Sequence, residues 1–154
     1  MQKKKALVLP LLLWTLAAGG VVLMFFFSGQ DGASSGELSL KVARFIRRML
    51  PQIPLDFHTL HFYVRKLAHF GIFAAEGALL CGAWIATLKS PGRGALLAAT
   101  MCLPMAVLNE FHQYFMDGRS CEIRDMFIDS AGALSGILFS LILARHICRR
   151  NVII

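Results

Sequence analysis

The sequence predicts an all-α integral membrane helical bundle, with four transmembrane helices and one amphipathic interfacial helix in a single domain over 1–154. Three observations predict it. The chain is 56% hydrophobic with mean hydropathy +0.62, too apolar for an ordinary soluble domain. Four apolar runs, at about 6–27, 67–88, 95–115 and 126–144, fill more than half of it. Between the first two lies a shorter segment, about 35–50, whose apolar and charged residues alternate with helical period.

Met1–Lys5 is a basic flank before Ala6–Phe27, a run with no charge. Ala17-Ala18-Gly19 imitates a signal-cleavage site, but the apolar run continues through Val21–Phe27. Its 22 residues reach roughly 33 Å as a helix, enough to span a bilayer, so a retained first helix is expected. The connection that follows holds Ser34-Ser35-Gly36-Glu37, which fits a capping box with Ser34 as N-cap. Leu38, Val42, Phe45 and Met49 then form one stripe, and Glu37, Lys41, Arg44 and Arg48 the opposite one, until Pro51 and Pro54 stop the helix. Such a segment suits the headgroup plane or a lid over the spanning helices.

The second span closes at Lys89-Ser90-Pro91-Gly92-Arg93-Gly94. The third contains Pro104, which removes one backbone hydrogen bond beneath Asn109 and Glu110. The fourth carries Gly132-Ala133-Leu134-Ser135-Gly136, a GxxxG surface for close helix packing and an available contact for an oligomer.

Net charge is +7. With a cytoplasmic N-terminus, the cytoplasmic stretches hold Lys3, Lys4, Lys5, Lys89, Arg93, Arg145, Arg149 and Arg150 and none of the nine acids. The opposite side has as many Lys and Arg, spread over much longer connections, so it is density that favours cytoplasmic N- and C-termini. This balance points to membrane lipids with anionic headgroups as partners. No DNA-reading motif appears, and nucleic acid is not expected. Cys81 and Cys102 lie in apolar runs, Cys121 in a polar loop and Cys148 in the basic tail, with no CxxC spacing. They read as small core residues rather than a redox or disulfide framework.

A charge at the centre of a spanning helix costs about 2.5–3.5 kcal/mol on insertion scales, so polar residues in these runs need an explanation. Threading the spans in and out of the membrane supplies part of it. Lys66 and His69 enter the second span; Asn109, Glu110 and Gln113 end the third; Asp125 and Asp129 begin the fourth; Arg119 stands on the connection between them. All therefore share one depth near the outer boundary. Lys66/His69, Asn109/Gln113 and Asp125/Asp129 have i, i+3 or i, i+4 spacing, so each pair projects on one side of its helix. Together they form a candidate ligand-binding pocket for an anionic headgroup. As catalytic candidates, Glu110 or Asp125 would be the base and His69 its acid–base partner. The structural alternative has Arg119 pairing with Glu110 or Asp125 merely to tie helix ends together.

Glu76 lies deeper, with Ser135 at comparable depth, and reads as a neutral hydrogen-bonding acid or as part of a proton path. His58, His61 and His112 raise a metal hypothesis. His58-x-x-His61 falls in a loop and no HExxH occurs, so no metal and no cofactor are expected.

Phe27-Ser28-Gly29-Gln30, Arg65-Lys66-x-x-His69-Phe70, Asn109-Glu110-x-x-Gln113 and Gly118-Arg119-Ser120, followed by Asp125 and Gly132/Gly136, resemble the VanZ-like family in that order. The resemblance covers about 27–143. It implies a small multi-pass protein of the bacterial cytoplasmic membrane, with Lys66, His69, Glu110, Gln113, Arg119 and Asp125 as the family's polar residues. It also implies an association with low-level teicoplanin (glycopeptide) resistance that does not need the D-Ala-D-Lac precursor switch. Two departures stand out: Asp129 occupies a position where the pattern usually has Asn, and Asp117 precedes Gly-Arg where Pro is common.

Overall fold

The computed structural model describes residues 2–151 as five helices joined by short connections. They are α1 (Gln2–Ser28), α2 (Gly32–Met49), α3 (Phe57–Leu88), α4 (Pro91–Tyr114) and α5 (Ile123–Asn151). All but α2 contain stretches long and apolar enough to cross a membrane. The side chains of Lys3, Lys4, Lys5, Arg149 and Arg150, which enter the orientation argument, lie outside the described residues, as does Met1.

The helix ends follow local chemistry, with corrections to the expected bounds. α2 is capped by Asp31, not Ser34: the Asp31 carboxylate accepts from the Ser34 backbone N–H at 2.7 Å. That bond also holds the exposed Asp31 carboxyl below its usual pKa. The second span begins ten residues before the expected boundary. Asp56 caps α3 by accepting from the Thr59 N–H at 2.9 Å, so His58 and His61 are helical and not in a loop. At 32 residues, α3 is about 48 Å long and must project beyond a hydrocarbon core of about 30 Å. It ends in a left-handed cap at Lys89 (φ 55°). α4 starts at once with Pro91 in its first turn, where a missing N–H costs nothing.

α3 is the central element, touching each of the other four. Its seam with α5 is parallel: Gly132 abuts the backbone of Phe70, Gly136 that of Ala74, and the Ser140 hydroxyl donates to the Ala78 carbonyl at 2.8 Å. The register advances four residues on each helix at every step. A Cβ at Gly136 would overlap Ala74 and Ala78, so only glycine lets these backbones come so close. The GxxxG surface read from the sequence as a close-packing face thus packs against α3 of the same chain.

One pattern recurs on three helices. The buried stripe of α4 runs Gly94, Ala98, Cys102, Ala106 and then Asn109, Glu110, Gln113. That of α5 runs Asp125, Asp129 and then Gly132, Ala133, Gly136, Ile137. α3 passes from Lys66 and His69 to Phe73, Gly77, Leu80 and Cys81. Small and apolar residues pack one end of the bundle, and polar ones meet at the other. On the outside, α1 leaves Leu7, Leu11, Val22 and Phe26 exposed, a surface suited to lipid.

α2 packs on α3, with Ser39 Oγ 2.8 Å from His61 Nε2, and its buried residues are the small ones, Gly36, Ser39 and Ala43. Leu38, Val42, Phe45 and Met49, the stripe read from the sequence, remain exposed. The turn after α2 is fastened by Arg47, which donates to the carbonyls of Ile53 and Leu55.

Candidate functional site

All eight candidate residues converge at the polar end. Lys66 Nζ reaches both oxygens of Asp125, at 2.5 and 2.6 Å, and lies 3.6 Å from Glu122. His69 Nδ1 is 3.3 Å from Asp129 Oδ1. Asn109 donates to the other Asp129 oxygen at 3.4 Å. Glu110 accepts from the Glu122 backbone N–H at 3.2 Å. Arg119 donates to the Gln113 side-chain oxygen and, at 3.1 Å, to the Ser28 carbonyl.

Two expectations are corrected here. Arg119 pairs with neither Glu110 nor Asp125; it ties the α4–α5 connection to α1 and to Gln113. Asp125 is engaged by Lys66 on both oxygens, which leaves it poorly placed to act as a base. Glu76 is buried as expected, but Ser135 bonds back to the Ala131 carbonyl of its own helix. The Glu76 carboxyl instead lies against Gly20 of α1, where any Cβ would collide with it, and its Oε1 has no hydrogen-bond partner.

The loop that carries Arg119 is built for its position. Gly118 takes φ +69°, a left-handed conformation that glycine adopts without strain. Just before it, the Asp117 carbonyl accepts from the Gly32 N–H at 2.9 Å and pins the loop to the start of α2. Arg119 is half-buried, and burial, aided by the charge of Arg65, lowers its pKa from the ordinary arginine value. Glu122, at the entrance to α5, has its carboxyl held below the usual range chiefly by the hydrogen bond from Arg124.

Sequence reasoning missed Ser28 and Glu122. Ser28 belongs to the Phe27-Ser28-Gly29-Gln30 motif, but its main use is a backbone carbonyl, which no side-chain pattern reveals. Glu122 also acts partly through its backbone N–H. Burial adds a second kind of information. Glu110 and Asp129 are wholly buried, and Asn109 and Gln113 nearly so, yet several of their polar atoms have no partner. The free acceptors are Glu110 Oε1, Asp129 Oδ1 and Asn109 Oδ1; the free donors are Gln113 Nε2 and Arg119 Nε. Unpaired buried polar atoms cost about 1–3 kcal/mol each, so a cluster of them calls for an explanation.

A cavity of about 620 Å³ adjoins this cluster. It lies between α2 and the ends of α1, α3 and α4, with an apolar wall that includes Met24, Leu38, Val42 and Ile72. Its polar lining includes Arg65, His69, Asn109, Gln113 and Arg119.

The fold and this polar end define a multi-pass helical membrane protein with a polar, cavity-lined cluster at one end of its bundle. The family model described as VanZ/LLP1 matches residues 8–144, and the chain belongs to that family. No curated protein and no solved structure matches it.

Proposed function

We propose that the cavity binds the anionic headgroup of a membrane lipid at the outer face of the bacterial cytoplasmic membrane, with both termini in the cytoplasm. The observation that carries this reading is the pair of buried, partnerless donors, Arg119 Nε and Gln113 Nε2, on residues that line an otherwise largely apolar cavity. A headgroup oxyanion supplies the missing acceptors, and charge-assisted hydrogen bonds of this kind are stronger than neutral ones. Acyl chains suit the apolar wall. The apolar stripe of α2 is exposed, and its Leu38 and Val42 also line the cavity, an arrangement that supports an interfacial position for that helix at the cavity's edge. The volume falls within the usual range for ligand sites, about 300–1,000 Å³.

On this reading the protein alters how an envelope lipid is presented, and glycopeptide susceptibility of the teicoplanin type follows from that change at the cell surface. The test is native mass spectrometry of the purified protein with its co-purified lipid. Wild type should retain an anionic lipid that Arg119→Ala loses; equal lipid content in the two overturns the reading.

A second reading, an enzyme acting on the bound headgroup, is favoured by the 3.3 Å approach of His69 to Asp129 next to the cavity. It requires that Glu110→Gln or His69→Gln abolish headgroup turnover while lipid binding survives. A proton-coupled transporter would need Glu76 and Asp129 on one path. Among the described residues no hydrogen bond links Glu76 to the polar cluster.

A further inference from the structure

Two of the free acceptors, Glu110 Oε1 and Asp129 Oδ1, are carboxylate oxygens and call for a ligand of the opposite sign. His69, Glu110 and Asp129 come from α3, α4 and α5, and each offers one ligand atom within 4.8 Å of the others. We infer that these three residues form a binding site for a divalent transition-metal cation of the Zn²⁺ class, distinct from the anion-binding donors of Arg119 and Gln113.

Each carboxylate is half engaged. Glu110 presents one oxygen to the Glu122 N–H and leaves Oε1 free; Asp129 presents one oxygen to Asn109 and leaves Oδ1 free. A fixed donor on one oxygen orients the other, as outer hydrogen bonds do around metal ligands. The 3.3 Å between His69 Nδ1 and Asp129 Oδ1 matches the edge of a tetrahedron with bonds of roughly 2.0–2.1 Å. Asp129 Oδ1 makes no hydrogen bond, to His69 or to any other described residue.

Charge leads to the same conclusion. Glu110 and Asp129 are wholly buried, while Lys66 is committed to Asp125 and Glu122 and Arg119 to Gln113 and Ser28. Two buried carboxylates beside one imidazole are neutralised by a single divalent cation. An imidazole with two carboxylates suits Zn²⁺ or Mn²⁺ better than Mg²⁺, which prefers all-oxygen sites with several waters. Three protein ligands leave a fourth position open. His69 lines the cavity, which gives the ion a way in.

The experiment uses the full chain in detergent, stripped with a chelator, then dialysed against Zn²⁺, Mn²⁺ or Mg²⁺ and assayed by elemental mass spectrometry. Wild type should take up one equivalent of Zn²⁺, bind Mn²⁺ more weakly and retain no Mg²⁺. Asp129→Asn keeps the side chain's shape and should weaken Zn²⁺ binding about tenfold or more, as should His69→Gln; size-exclusion profiles establish that each variant is folded. No stoichiometric Zn²⁺ or Mn²⁺ in wild type overturns the inference, as does uptake unchanged in folded Asp129→Asn. Lipid retention measured on the same stripped protein tests the anion site separately, so either site can fail without the other.

Discussion

The two ends of the bundle are made from the same helices but solve different problems. At the apolar end, α3 and α5 touch through Gly132 and Gly136, and α4 contributes Gly94, Ala98, Cys102 and Ala106. Backbone close approach fills the space between the two helices. At the polar end the same stripes carry Lys66, His69, Asn109, Glu110, Gln113, Asp125 and Asp129, and a cavity opens beside them. If those residues served packing alone, their donors and acceptors would be expected to satisfy one another. Lys66 and Asp125 do so fully. The others pair through one atom and leave another free, with the free donors on Arg119 and Gln113 and the free acceptors on Asn109, Glu110 and Asp129, and that remainder is what distinguishes a binding site from a tie.

The comparison can be broken hardest at the closed ion pair. Lys66→Met leaves Asp125 without its cation and should destabilise the protein by about 3–5 kcal/mol, toward the lower end because water reaches the interface. Adding Asp125→Leu should recover most of that loss. Thermal unfolding in detergent measures both, and a double variant as unstable as the single would dissolve the pair as a structural unit.

Next in size is the apolar seam. Gly136→Val forces α3 and α5 apart and should cost about 1–3 kcal/mol or more. Gly36→Ala in α2, where a Cβ meets no atom within 4 Å, should be neutral or stabilising by up to about 1 kcal/mol. Similar losses for the two would mean that close approach is not what selects glycine. Asp31→Ala removes the α2 cap and should cost about 1 kcal/mol, seen as faster amide exchange in the first turn of α2 with the spanning helices unchanged.

The smallest effect is electrostatic. The Glu122 carboxyl has a lowered pKa in the folded protein, so its contribution is fully present above the unfolded value of about 4.3 and is lost as pH falls through the lowered one. Glu122→Gln should therefore flatten the acid limb of the stability profile below about pH 4.5, by under about 0.5 kcal/mol since the group is partly exposed. A variant whose acid limb matches wild type would remove Glu122 from the network.

Much of this was legible in the sequence. Four apolar runs give four spans because length and hydropathy decide what crosses a membrane. Threading them through the membrane brings Lys66, His69, Glu110, Gln113 and Asp125 to one depth from sequence order alone. Partner choice was not legible: Arg119 goes to a carbonyl of α1, since a guanidinium reaches whatever acceptor the loop geometry presents. The role of Gly20 as the space for Glu76 was equally hidden, because it depends on which faces of α1 and α3 meet. The sequence offers His58, His61 and His112 as the histidines to weigh for a metal, whereas the cluster that forms takes His69, Glu110 and Asp129 from three helices.

The central claim is that the polar end holds an anionic lipid headgroup rather than simply joining helices. The most direct measurement is a native mass spectrometry titration of the delipidated protein with phosphatidylglycerol and phosphatidylcholine. The account predicts one saturable site that prefers phosphatidylglycerol by about tenfold, or about 1.4 kcal/mol, with the preference lost in Arg119→Ala and kept in Gly36→Ala. Equal binding of the two lipids by wild type, or a preference that survives Arg119→Ala, would contradict it.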